Sequence, residues 1–134
     1  MDTTQHHVAG LLKQLAEKMN TPLRLDDGMC ALFDAHGEEA VVLEAPEHSD
    51  LLLLHGKILA PEMREEQDDS LSLRLNFELS ALRGCWLALD EFGALRLCCS
   101  LPLEKLDATA LVNSVQAFIH HAQEVRQFIT EMRT

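Results

Sequence analysis

Apolar residues along this chain alternate between helical and strand spacing. Val8, Leu11, Leu12, Leu15 and Met19 recur at helical spacing, which predicts a first amphipathic helix capped by Thr3 or Thr4. Asn20-Thr21-Pro22 ends it, Leu23 and Leu25 are extended, and Asp26-Asp27-Gly28 makes a turn. Three strands are expected next, over residues 29–34, 39–44 and 51–59. Their connections, 35–38 and 45–49, are short enough to favour antiparallel hairpins. Pro61 closes this run, and residues 62–69 read as a solvated acidic loop. A middle helix is expected over 69–83. Leu71, Leu75, Leu79 and Leu82 fit a helical stripe better than Leu71, Leu73 and Leu75 fit a strand, and Gly84 is its stop. Residues 85–90 and 94–101 form a second hairpin through Glu91-Phe92-Gly93. Asp107 then caps a long last helix, where Leu111, Val115, Phe118, Ala122, Val125, Ile129 and Met132 repeat at alternating steps of four and three.

The expected architecture is α+β, a single domain over 1–134 in the order α-β-β-β-α-β-β-α, with an antiparallel twisted sheet and helices packed on it. Strand side chains alternate between faces. One face is expected to carry Met29, Ala31, Phe33, Val41, Leu43, Leu51, Leu53, Cys85, Leu87, Leu89, Leu95, Leu97 and Cys99, beneath the first and last helices. The other carries Cys30, Leu32, Val42, Leu52, Leu54, Trp86, Ala88 and Cys98. A one-sided antiparallel sheet would be polar there. An apolar second face of this extent marks a binding surface, unless the middle helix or a second copy covers it. A register slip of one residue would exchange the two faces.

Composition narrows the function. Apolar residues make up 47% and charged residues 25% of 134, a globular balance. Tyr is absent and Trp occurs once, so the core is aliphatic. The net charge of −11 disfavours nucleic acid and anionic membrane surfaces, and would favour a basic partner. The polar start, Met1-Asp2-Thr3-Thr4-Gln5, sets the expectation of no signal peptide, and no apolar run approaches a membrane span. Cys30, Cys85, Cys98 and Cys99 lack C-x-x-C spacing and read as reduced apolar residues of a cytosolic protein.

Catalytic and metal chemistry has no foothold in the pattern. His6-His7 and His120-His121 are adjacent, so each pair diverges by about 100° on a helix and makes no i, i+4 metal clamp. The seven histidines read as solvated surface groups. The glycines cradle no phosphate, the serines have no G-x-S-x-G setting, and the carboxylates of 62–69 lack calcium-loop spacing. The expectation is no enzyme, no cofactor and no metal. A small-ligand site would need convergent polar groups in a pocket, and none is visible.

The residues carry a resemblance. Residues 26–34 after an amphipathic helix, Leu71, Leu75 and Asn76 in the middle helix, the hairpin 87–97, and Leu101-Pro102-Leu103 before a long helix come in an order that resembles the class I type III secretion chaperones. The resemblance covers almost the whole chain. It implies a bacterial cytoplasmic homodimer that binds the N-terminal segment of a secreted effector in extended, non-globular form, often as an added edge strand. It places the dimer contact near Leu75, Leu79, Leu82, Trp86 and Ala88. Effector contact is expected from Leu11, Leu12, Leu15, Met19, Leu32, Phe33 and Val42. The alternative is a regulator of the same fold that sequesters a transcriptional regulator or a secretion component.

Overall fold

Two long helices lie on one face of a five-stranded sheet. The computed structural model of the protein describes residues 3–133, apart from the side chain of Leu79. The elements are α1 (Thr3–Met19), β1 (Met29–Phe33), β2 (Glu39–Glu44), β3 (Leu51–Leu59), a 3-10 turn (Pro61–Met63), α2 (Glu66–Phe77), α3 (Leu79–Leu82), β4 (Trp86–Leu89), β5 (Leu95–Pro102) and α4 (Ala108–Glu131). All strand pairs are antiparallel, in the order β1-β2-β3-β5-β4. The α-β-β-β-α-β-β-α order is the expected one. The middle helix, however, breaks at Glu78, whose ψ of 82° is not helical, so the single helix expected over 69–83 is two.

Local chemistry sets the ends of α4. The Asp107 side chain accepts from Ala110 N at 2.8 Å, as an N-cap should. The four-three stripe then buries Leu111, Val115, Phe118, Ala122, Val125 and Ile129. Helix α1 buries Val8, Leu11, Leu12 and Leu15 in the same core. Its first helical residue is Thr3, so a cap lies outside the described residues. Thr4 does not cap it; its Oγ1 donates to Ser49 O at 2.6 Å. Gly56, in the middle of β3, lets α4 come close. A Cβ there would stand 3.1 Å from Ala40 O and 3.3 Å from Phe118 Cε1. Two turns further along α4, Arg126 donates to the carbonyls of Ile58 and Lys57, beside an irregularity in the β3–β5 register.

The strand registers correct the expected faces. Leu32 pairs with Val41, Cys30 with Leu43, and Leu43 with Leu54. Directly paired residues share a face. Cys30, Leu32, Leu52 and Leu54 are therefore on the helix-covered face, buried with Val41, Leu43, Leu87, Leu95 and Leu97. Met29, Ala31, Phe33, Leu51 and Leu53 are on the open face. The assignments for β2, β4 and β5 hold. Those for β1 and β3 are reversed, because both strands are apolar at odd and even positions alike.

The acidic stretch is also more structured than a solvated loop. It starts α2, and Asp68 is fully buried. Its carboxylate accepts from Glu65 N at 2.7 Å and from Arg133 at 2.8 Å, while Arg64 holds Asp69 at 2.9 Å. Burial pushes the Asp68 carboxyl up. The Arg133 hydrogen bond, the Glu65 N–H and the charges of Arg133 and Arg64 outweigh that and leave it below its ordinary value.

Two expectations follow. Gly56→Ala forces a Cβ against backbone and Phe118, and should destabilise by about 1–3 kcal/mol in urea unfolding. Phe118→Leu in the same chain should recover part of the loss. Arg133→Ala leaves the Asp68 carboxylate buried without its partner and should lower the urea midpoint at neutral pH. A depressed native pKa stabilises above the unfolded carboxylate value of about 4 and ceases to do so as pH falls through the native value. The difference between wild type and Arg133→Ala should therefore shrink in acid.

Candidate protein-binding surface

An open sheet has two edges, and this one treats them differently. At β4, the Asn76 side chain from α2 binds both backbone groups of Leu87. Its Nδ2 donates to Leu87 O at 3.0 Å, and its Oδ1 accepts from Leu87 N at 2.7 Å. A side-chain amide thus fills the place of a further strand. At β1, Ala45 N donates to Gly28 O, which makes 28 and 45 a hydrogen-bonded pair. By alternation, the N–H and C=O of Met29 and Ala31 point away from β2. Those of Met29 return to Asp26. Ala31 presents its pair outward, between the exposed side chains of Met29 and Phe33.

The open face is not uniformly apolar. Its centre is an ion-pair and hydrogen-bond network. Arg96 Nε donates to His55 Nδ1 at 3.0 Å, and the guanidinium also reaches Glu39 and Asp90. With Nδ1 accepting, the His55 proton is on Nε2, 3.3 Å from Glu44 Oε2. Burial pushes the Asp90 carboxyl up, but the N–H groups of Ala94 and Phe92 and the Arg96 guanidinium hold it below its ordinary value. Around this centre run two shallow depressions. One, of about 800 Å³, includes Met29, Ala31, Val42, Lys57 and Phe92. The other, of about 240 Å³, includes Leu53, Trp86, Ala88, Leu89 and Cys98. His55 is thus part of the network rather than a solvated group. His121 is also not solvated: it is buried, and its Nε2 donates to Leu82 O at 3.0 Å.

Aromatic placement is the clearest feature of the surface. The chain has five Phe and one Trp. Only Phe118 is buried; Phe33, Phe77, Phe92, Phe128 and Trp86 are all exposed, Phe77 at 86%. Leu73 (71%) and Phe77 are one turn apart on α2, and Leu89 is also exposed on β4. Because α2 packs against β4, these groups flank the guarded edge. A groove of about 460 Å³ between α3 and α4 includes Leu75, Leu82, His121, Val125 and Phe128.

The residues singled out in the sequence fall into two groups. Leu11, Leu12, Leu15, Leu32, Leu75 and Leu82 are core residues, although Leu11 borders a groove along α1 and Leu75 and Leu82 border the α3–α4 groove. Val42 is buried on the open-face side and lines the larger depression. Met19, Phe33 and Trp86 are exposed, Ala88 is partly so, and the Leu79 side chain lies outside the described residues. Leu73, Phe77 and Asn76's grip on Leu87 were not singled out as surface features. The signal for the first two was present: an apolar i, i+4 pair off the main stripe of its helix.

Among the described residues, no three His, Cys, Asp or Glu side chains gather as a metal site, and no helix is long and apolar enough to cross a membrane. No curated protein matches significantly in sequence. Solved structures match in fold. A chain of the ExsC-ExsE complex superposes with a TM-score of 0.81 at 20% identity, covering 96% of this chain and 97% of that one. A chain of the HopA1-SchA chaperone-effector complex gives 0.76 at 23% identity, covering 95% and 98%. A chain of the Yersinia pestis type III secretion chaperone SycH with a fragment of YscM2 gives 0.59 at 19% identity, covering 87% and 97%. The model of the Tir chaperone protein (CesT) family matches residues 10–126. That match runs from α1 into α4 and takes in every strand, so the chain belongs to the Tir chaperone protein (CesT) family, the class I chaperones of type III secretion.

Proposed function

We propose that this chain is a cytosolic, homodimeric type III secretion chaperone. It binds the N-terminal segment of a cognate effector in extended, non-globular form and keeps it soluble and competent for export. The observation that carries this reading is the inversion of aromatic burial: five of the six aromatic side chains are exposed over an aliphatic core. Exposed aromatics supply the anchors of protein interfaces. The structural relatives named above include complexes of chaperones with effectors, which is consistent with the same task here.

The two sheet edges divide the work. The outward N–H and C=O of Ala31 offer main-chain hydrogen bonds to an added strand, and Met29, Phe33 and the adjoining depression offer contacts to its alternate side chains. Met19 at the end of α1 extends the candidate effector surface. Asn76 blocks the β4 edge against such addition, so the apolar groups beside it, Leu73, Phe77, Trp86 and Leu89, are assigned to contact with a second copy. The net charge of −11 would steer a basic client segment.

Capture of a tagged chain from its native bacterium under secretion-inducing conditions tests this. Recovery of one larger secreted protein held through its N-terminal region is the expected result. A transcriptional regulator in its place would assign the sequestering role, and self-association alone would refute both. Leu73→Asp with Phe77→Asp should convert a dimer to a monomer by light scattering while the circular dichroism spectrum keeps the wild-type helix and strand content. Ala31→Pro removes an N–H that the β1–β2 ladder does not use. It should weaken effector binding about fivefold, given about 1 kcal/mol for one main-chain hydrogen bond, with little change in stability.

A further inference from the structure

Four cysteines are present, and the sheet sorts them. Cys30 is buried in β1. Cys98 and Cys99 are consecutive on β5 and face opposite ways. Cys98 pairs with Trp86 on the open face, and Cys99 pairs with Leu54 on the covered face. Cys85 stands one residue before β4. Continuing the Trp86–Cys98 register by one step puts it directly opposite Cys99. Because Leu87 turns its N–H and C=O away from β5 to Asn76, 87 and 97 are a non-hydrogen-bonded pair, and so are 85 and 99. Such pairs bring Cα atoms to about 4.5 Å, within the span a disulfide bridges. The two residues face each other across the pair, and both are only partly buried.

We propose that Cys85 and Cys99 form a reversible redox site, which a low-molecular-weight disulfide oxidises to an intramolecular cross-strand disulfide. The Cys85 hydrogen bond brings the Cys99 thiol down to about 7, while Cys85 is pushed up and keeps its proton. Cys99 is therefore the attacking sulfur. Its thiolate displaces one thiolate from the oxidant and forms a mixed disulfide. Cys85 then loses its proton to solvent and attacks the Cys99 sulfur, releasing the second thiolate. Two protein thiols are oxidised, and one small disulfide is reduced to two thiols. Burial pushes Cys30 and Cys98 up, which leaves both as poorer nucleophiles. The bond would tie β4 to β5 immediately before Trp86, at the end away from the 91–93 turn.

The test treats the full chain with oxidised glutathione at neutral pH, quenches with acid, alkylates the remaining thiols and maps them by mass spectrometry. Tryptic cleavage after Arg96 separates Cys85 from Cys98 and Cys99, and fragmentation distinguishes the last two. The expected result is a chain lighter by two hydrogen atoms, with Cys85 joined to Cys99, Cys30 and Cys98 alkylated, and dithiothreitol reversing the change. Cys85→Ser should stop at a glutathione adduct on Cys99, and Cys99→Ser should remain unmodified. If the serine variants do not fold, the wild-type map decides alone. Four alkylated thiols after oxidation, a Cys98–Cys99 bond, or a bond between two copies would overturn the proposal. An adduct on Cys85 in Cys99→Ser would overturn it as well.

Discussion

A single antiparallel sheet has two faces, and this chain folds both of its long amphipathic helices onto the same one. Helices α1 and α4 bury aliphatic stripes against Leu43, Leu52, Leu54, Leu95 and Leu97. Gly56 allows Phe118 the close approach that this packing requires. The short α2 and α3 sit at the β4 side rather than under the sheet. Among the described residues no helix is left for the second face, so its chemistry must tolerate water when alone and accept a partner when one arrives. The network centred on Arg96 and His55 meets the first demand. The apolar groups to either side meet the second.

The edges carry the same division of labour. An unguarded strand edge invites any extended chain, including another copy of the same protein. Asn76 closes one edge with a side-chain imitation of a strand. The other is left with the backbone of Ala31 facing outward and bulky apolar neighbours at positions 29 and 33. A protein of this design discriminates by where it is open, and it needs no reactive group to work. That fits a chaperone, whose product is the same polypeptide it received.

Much of this was legible in the residues, for physical reasons. The α4 stripe keeps one period for nearly six turns, and only a helix satisfies it. β2 and β3 are bounded by turn residues and keep their predicted ends. The faces of β1 and β3 were not legible, because Leu51-Leu52-Leu53-Leu54 and Met29-Cys30-Ala31-Leu32-Phe33 are apolar at both parities. Only pairing with Val41 and Leu43 decides between them. The role of Asp68 depends on Arg133, far away in sequence, so its carboxylate looked like one of many on a solvated loop. Long-range pairing also moved His55 and His121 from the surface into defined contacts. The exposed aromatics were half-visible. Phe77 sits off the stripe of its helix, but its exposure follows from the break at Glu78 and the docking of α2 against β4.

Amide hydrogen exchange on the chaperone alone and in complex with its captured effector tests the central claim most directly. Strand addition at β1 predicts slowed exchange at Ala31 and its neighbours on binding, with β4 around Leu87 unchanged, and slow exchange in a single short segment of the effector's N-terminal region. Unaltered exchange along β1, or an effector held through a folded domain, would contradict the account.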